Sequence, residues 1–173
     1  MITEDHPPGD DFLSRVCIEW EQVTEPVEEI GVRHVILRTG IVLSMEEGAL
    51  PRMVLPFRFF AGGPLGSGEQ WYSWIHLEDE ARAIHWLLEN EEASGVYNLS
   101  APNPIRQKDL AKIIGKEMGR PWFVPAPAFA LKTALGEEAT VELDGQRAVP
   151  ARLEDEGFTF EYTQAEEAIA DLL

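Results

Sequence analysis

Residues 32–43 read VRHVILRTGIVL. The run is rich in β-branched side chains and almost wholly apolar. A strand with one wet face alternates between apolar and polar residues, whereas a strand covered on both faces of a parallel sheet does not. The segment is therefore expected to be a doubly buried strand, with Gly40 marking its end. Arg38 sits inside it, and a buried guanidinium needs a partner. Two readings fit Arg38: an ion pair with Glu78 or Asp79, or an anchor for a substrate phosphate.

Helices and strands alternate outward from this segment. Residues 9–25 carry Phe12, Val16 and Trp20 at a spacing of four, Asp10 and Asp11 in the first turn, and Pro26 just beyond. That pattern predicts a helix, on which Cys17 is expected to be buried and inert. Leu50, Met53, Val54, Phe57 and Phe60 have helical spacing, with Pro56 as a kink. Residues 71–76 predict a short strand, 79–90 a helix with Ala81, Ile84 and Leu88 inward, and 96–99 a strand. Residues 107–118 predict a helix with Leu110, Ile113 and Ile114 as its apolar stripe and Gly119 as its C-cap. In the last third, prolines at 121, 125 and 127 break up a strand at 122–124, and 129–135 reads as a short helix. Pro150 opens one or two helical turns, Phe158, Phe160 and Tyr162 alternate like a strand edge, and 165–173 is a terminal helix. Strands separated by helices imply an α/β fold with a largely parallel sheet.

Composition narrows the function classes. The formal net charge is −17, from 31 acidic and 14 basic residues, which repels nucleic acid and anionic lipid. Neither is an expected partner. A carboxylate-rich surface with few lysines suits a high-salt cytoplasm and also ordinary solubility. The single cysteine points to a reducing compartment, so a cytoplasmic location is expected. The acidic, proline-rich start MITEDHPPGDDF does not read as a signal peptide, and no apolar run is long enough to span a membrane. His6, His34, His76 and His85 have no metal-ligand spacing, so no metal is expected.

The stretch GGPLGSGEQWYSWIHLEDEARAI, residues 62–84, carries the densest functional signal. Four glycines, Gly62, Gly63, Gly66 and Gly68, precede the aromatics Trp71, Tyr72 and Trp74, then His76 and a run of acids. It reads either as the wall of a binding cleft or as a surface turn before a helix capped by Asp79. Trp71 and Trp74 are read as sharing one strand face, where either could stack on a ligand ring or pack in the core. His76 is either a core histidine or a cleft residue. Asn98 and Asn103 flank a loop after a strand end, where α/β folds bind ligands.

Together RTGIVLS, that stretch, GVYNLSAPNPIRQKDLAKIIGKEMGRP and PARLEDEGFTFEY resemble one family over nearly the whole chain. It is the group of extended short-chain dehydrogenase/reductase-like proteins described as nucleoside-diphosphate-sugar epimerases, with a C-terminal domain of unknown function. The resemblance implies a partial Rossmann-like parallel sheet over residues 1–119 and a small, mostly helical domain over 120–173. It implies NAD or NADP as cofactor in the full-length protein, with Thr39, Gly40, Ile41 and Val42 beside the nicotinamide. It implies a small-molecule substrate such as a nucleotide sugar, held by Gly62, Gly63, Gly66, Gly68, Trp74, His76, Asn98 and Asn103.

Two features of the family are missing. No glycine fingerprint for a dinucleotide pyrophosphate occurs in this sequence. The helix at 9–25, where the family's tyrosine and lysine fall four residues apart, offers only Phe12 with Val16 or Leu13 with Cys17. No catalytic residue is assigned. The chain is therefore expected to be the substrate-side half of a longer protein, binding no dinucleotide alone. Its open sheet edge would be covered by the missing N-terminal half or by a second copy. A non-catalytic binding or regulatory protein is the alternative reading.

Overall fold

The strand expected from VRHVILRTGIVL forks. In the computed structural model, which describes residues 1–124 and 145–173, its first part, β1 (Val35–Thr39), pairs in parallel with β5 (Gly95–Leu99). Its second part, β2 (Ile41–Leu43), pairs in parallel with β4 (Trp74–His76). Gly40 is the fork and not the end of the strand. Its N–H donates to the Leu99 carbonyl at 2.8 Å, and the next N–H, of Ile41, donates to the Ser73 carbonyl at 2.8 Å. Ala101 N–H then donates to the Trp74 carbonyl at 2.6 Å, tying the continuation of β5 to β4. A Cβ at Gly40 would lie 2.7 Å from the Ser73 oxygen and 3.3 Å from the Leu99 oxygen. Three backbones meet there, and only glycine leaves room.

The expected burial on both faces is not met. Leu37 is 38% exposed and Thr39 is exposed. Among the described residues β1 has no ladder partner other than β5, so a sequence suited to double cover lacks part of that cover. The expected strand at 71–76 is also two elements, because Ser73 leaves the ladder. Its hydroxyl donates to Gln146 O at 2.6 Å and accepts from Ala148 N–H at 2.9 Å. Before it, β3 (Trp71–Tyr72) pairs antiparallel with β6 (Ile105–Arg106). Trp71 and Trp74 therefore lie on different strands and share no face.

Helix α1 (Phe12–Thr24) starts one residue after Asp11, whose carboxylate accepts from Ser14 N–H at 2.8 Å as the N-cap. Asp10 and Asp11 thus precede the first turn. No residue of α1 is buried; Phe12, Trp20 and Val23 are 69%, 71% and 79% exposed. Cys17 is exposed rather than buried, because nothing among the described residues covers that stripe. A 3-10 helix (Glu25–Ile30) follows.

Next come α2 (Ala49–Arg58), with Pro56 inside it, and α3 (Leu77–Glu89). The inward face of α3 is Asp79, Ala83 and Leu87, with Ala81 exposed and Leu88 67% exposed. The apolar periodicity misplaced this face because an acid occupies its first inward position. Helix α4 (Gln107–Glu117) has Met118 as its C-cap, one residue before the expected Gly119, which follows it left-handed at φ 61°. The chain closes with α5 (Ala151–Asp155) and α6 (Ala165–Leu172). Residues 122–124 and 158–162 form no strand; Phe158 and Phe160 meet edge to face at 4.8 Å in the core. The expected helix at 129–135 lies outside the described residues.

Among the described residues two apolar cores result. Trp74 joins Leu43, Leu50, Phe57, Leu110 and Ile114 in one. Its neighbour Ile75 joins Leu87, Tyr97, Leu99 and Leu153 in the other. Successive residues of β4 thus point to opposite sides, as the pleat requires. Among the described residues no helix is long and apolar enough to cross a membrane.

Candidate functional site

The sequence-predicted residues fall into three places. The glycine loop is built onto the start of α4. Lys108 N–H donates to Gly68 O at 2.9 Å, and Leu65 N–H donates to the Gln107 side-chain oxygen at 2.8 Å. Gly68 has φ 69°, and a Cβ there would lie 2.8 Å from the Lys108 Cβ, so both conformation and space require glycine. Gly62 accepts from Val124 N–H at 3.1 Å, and side-chain atoms on Gly62 or Gly63 would strike Phe57 or Val124. Gly66 is also left-handed, at φ 59°. Gln107 is fully buried, and its side-chain nitrogen has no acceptor among the described residues.

Trp74, His76 and Asn103 form the second group. Trp74 is fully buried and its indole N–H donates to Asn103 O at 3.1 Å. The Asn103 amide donates to Thr163 O at 3.1 Å. His76, two residues on, is the N-cap of α3: its Nδ1 accepts from Glu78 N–H at 3.1 Å. That corrects the assignment of the cap to Asp79. The His76 ring stacks on Tyr162 at 3.9 Å, and its Nε2 lies 3.3 Å from an Asp171 oxygen on α6. Burial, then hydrogen bonding to Asp171, pushes the Tyr162 hydroxyl above its ordinary pKa. Asp79, fully buried, accepts from Glu161 N–H at 2.9 Å, Tyr162 N–H at 2.8 Å and Arg82 at 2.7 Å. It holds the C-terminal segment against α3.

The third group surrounds β1. Asn98 is buried; its amide donates to Val149 O at 3.0 Å, and its N–H donates to the buried Glu4 carboxylate at 3.1 Å. Arg38 does not meet Glu78 or Asp79. Its guanidinium forks onto Glu21 of α1 through two bonds of 2.7 Å. Thr39, on the opposite face of β1, is the residue that reaches the first turn of α3, whereas Arg38 faces α1. Hydrogen bonding to Arg38 holds the Glu21 carboxyl below its usual range. Thr39 donates to Glu80 at 3.0 Å, and burial pushes the Glu80 carboxyl up. Ile41 and Val42 are half-buried.

A groove runs between the outer face of α3 and Gly157–Thr159, lined by Leu77, Ala81, His85, Trp86 and Phe158 among others. None of the predicted site residues lines it. The sequence reading also missed a cluster formed by β3, β6 and Arg147. Trp71 and Arg106 are register partners across that pair, with the guanidinium 3.9 Å from the indole centroid. Arg147 lies 4.4 Å from the same centroid. No local spacing signals this group, since Trp71 and Arg106 meet through strand pairing and Arg147 comes from a distant segment outside the strands.

Residues 14–100 match the NAD dependent epimerase/dehydratase family, and residues 126–172 match a domain of unknown function, DUF1731. The chain belongs to the NAD dependent epimerase/dehydratase family. Among its relatives, the chloroplastic epimerase family protein SDR39U1 homolog of Arabidopsis thaliana is 43% identical over 100% of this chain and 50% of its own length. The crystal structure of human epimerase family protein SDR39U1 (isoform 2) with NADPH superposes with a TM-score of 0.90 at 32% identity. That match covers 99% of this chain and 58% of the human one. The nucleoside-diphosphate sugar epimerase of Corynebacterium glutamicum gives a TM-score of 0.80 at 35% identity, over 99% of this chain and 33% of its own. The chain spans about half the length of the curated epimerase-family relatives it matches. The α/β expectation holds, with the Rossmann-like epimerases as structural neighbours.

Proposed function

We propose that this chain is the substrate-side part of an NAD(P)-dependent epimerase or reductase acting on a nucleotide sugar or similar small molecule. The observation that carries this reading is the human relative bound to NADPH, which this chain matches over 99% of its length. The rest of the relatives' length would supply the turn that holds the dinucleotide pyrophosphate, so this chain alone would bind NADPH or NADH weakly or not at all. A nicotinamide, once bound, supplies hydride transfer.

The residues fit that role in part. Thr39 is exposed on β1, a strand with no ladder partner but β5 among the described residues, where it would contact the cofactor. Gly40 lacks a side chain because of the strand fork, and its role would be to keep Ile41 and Val42 in register beside that contact. Trp74, His76 and Asn103 would shape the substrate wall from behind, being buried or hydrogen-bonded to the backbone. The open edge and exposed α1 would be covered by the remaining half of the relatives' length or by a second copy. No nucleic acid or membrane partner is proposed, and a reducing cytoplasm suits the single cysteine.

Isothermal titration of NADPH and NADH into this chain, and into a longer protein that includes the relatives' N-terminal half, tests the proposal. The longer protein is expected to bind at micromolar levels and this chain far more weakly. Micromolar binding by this chain alone overturns the division of labour. The positions of the family's tyrosine and lysine, filled here by Phe12 with Val16 or Leu13 with Cys17, favour a second reading as a binding or regulatory protein. NADPH binding by the longer protein with neither NADPH oxidation nor epimerised or reduced nucleotide sugar as product would support that second reading.

A further inference from the structure

We propose that the groove along the outer face of α3 docks a basic, amphipathic helix of a partner protein. The groove holds about 740 Å³. Its lining residues recur every fourth position from Leu77 to Glu89, the two ends of α3, so it is about 18 Å long by helical rise. That length suits a docked peptide helix better than a compact small molecule. Residues Gly157–Thr159 form the opposite wall.

The floor is apolar. Leu77 is 42% exposed, and Ala81 is exposed. Trp86 is half-buried and meets the Phe158 ring edge to face at 6.0 Å. Ala81, near the middle of the stripe, carries only a methyl group, so a second helix can approach closely there.

Charge selects the occupant. The arginine in the lining, Arg82, is already engaged. Its guanidinium donates to the buried Asp79 carboxylate at 2.7 Å and to Thr159 O at 3.0 Å, and Glu161 lies 3.7 Å away. Glu78, in the first turn of α3, has no cation within ion-pair distance among the described residues. Glu89, in the last turn, has only His85 beside it among them, at 3.5 Å. Acids at both ends of an apolar trough complement lysine or arginine flanking an apolar helical stripe. A second copy does not fit, since two chains of net charge −17 repel.

The probe is a fluorescein-labelled synthetic helix of leucine, alanine and lysine, about 15 residues long, with its leucines at helical spacing. Its anisotropy is followed as this chain is added, at about 0.15 M salt to screen general attraction. A scrambled peptide of equal charge and a peptide with glutamate in place of lysine are the controls. The probe is expected to bind saturably at micromolar concentration, about tenfold or more tighter than either control. Ala81→Arg fills the trough and Glu89→Lys reverses one acid; each is expected to weaken the probe about tenfold or more. Lysine in the last turn suits the helix dipole, so Glu89→Lys decides the matter if Ala81→Arg does not fold. Glu117→Lys on α4 and Glu166→Lys on α6 make the same charge change at exposed positions away from the groove. They should leave affinity within about twofold. No saturable binding, equal binding of either control peptide, unchanged binding by the groove variants, or an equal loss in the α4 and α6 variants overturns the site. A dimer in sedimentation velocity that Glu89→Lys or Ala81→Arg dissolves would make a second copy the occupant and overturn the proposal.

Discussion

Arg38 and Glu21 meet through two N–H···O bonds of 2.7 Å, with side chains 35% and 23% exposed. The geometry is that of a strong pair, but water reaches both groups. Arg38→Ala should therefore cost about 1–2 kcal/mol, between the ranges for exposed and buried pairs. Glu21 titrates below its ordinary value of 4.5 because Arg38 hydrogen-bonds its charged form. Its contribution is complete above that value and is lost as pH falls through the depressed one. The melting difference between wild type and Arg38→Ala should be full at pH 7 and shrink in acid. Glu80 has the opposite sign. Burial raises its carboxyl above 4.5, and one of its oxygens is buried without a partner among the described residues. Ionising it costs stability as pH rises past its ordinary value. Glu80→Gln keeps an acceptor for Thr39 and should raise the melting temperature at pH 7 but not at pH 4. An equal change at both would show that packing, not charge, decides.

At the scale of elements, α3 and the returning C-terminal segment depend on Asp79. Its carboxylate takes two backbone N–H groups and Arg82 with no exposure to water. Asp79→Ala would leave those donors unpaired in the interior and should cost about 3–5 kcal/mol by urea denaturation. Amide exchange at Glu161 and Tyr162 should speed up with it. A loss below about 1 kcal/mol would contradict the assignment. The same residue shows where sequence reading ran out. Helices with apolar spacing, such as α4, were legible with their stripe. Asp79 bonds a backbone 82 residues away, and no local pattern encodes such a contact. Sequence alone reads it as a cap and as a partner for Arg38, and its inward position displaces the buried face of α3 from the apolar periodicity. Stripe residues Phe12 and Trp20 carry a true helical signal, but periodicity cannot say what covers them. The candidate site divides likewise. The glycines of the 62–68 loop were visible by composition, whereas Trp71 and Arg106 meet only once β3 pairs with β6.

At the scale of the whole molecule, charge is the unbalanced quantity. With 31 acids against 14 bases, most carboxylates have no cation to pair with, and their mutual repulsion opposes folding. Several ion pairs present are on the surface, such as Lys108–Glu69, with side chains 44% and 61% exposed. Such pairs contribute little, so screening them away loses little. Raising sodium chloride from about 0.05 to about 0.5 M shortens the screening length severalfold. The acid–acid repulsion should fall more than the few attractive pairs do, and the melting temperature should rise by about 2–4 °C for each kcal/mol relieved. Salt also strengthens association of apolar faces, and α1 exposes Phe12, Trp20 and Val23. Melting at several protein concentrations separates the two effects. A rise independent of concentration is charge screening, and a rise that grows with concentration is association through the exposed apolar faces. A fall in melting temperature with salt would mean that the Arg38–Glu21 pair and its like outweigh the acid excess.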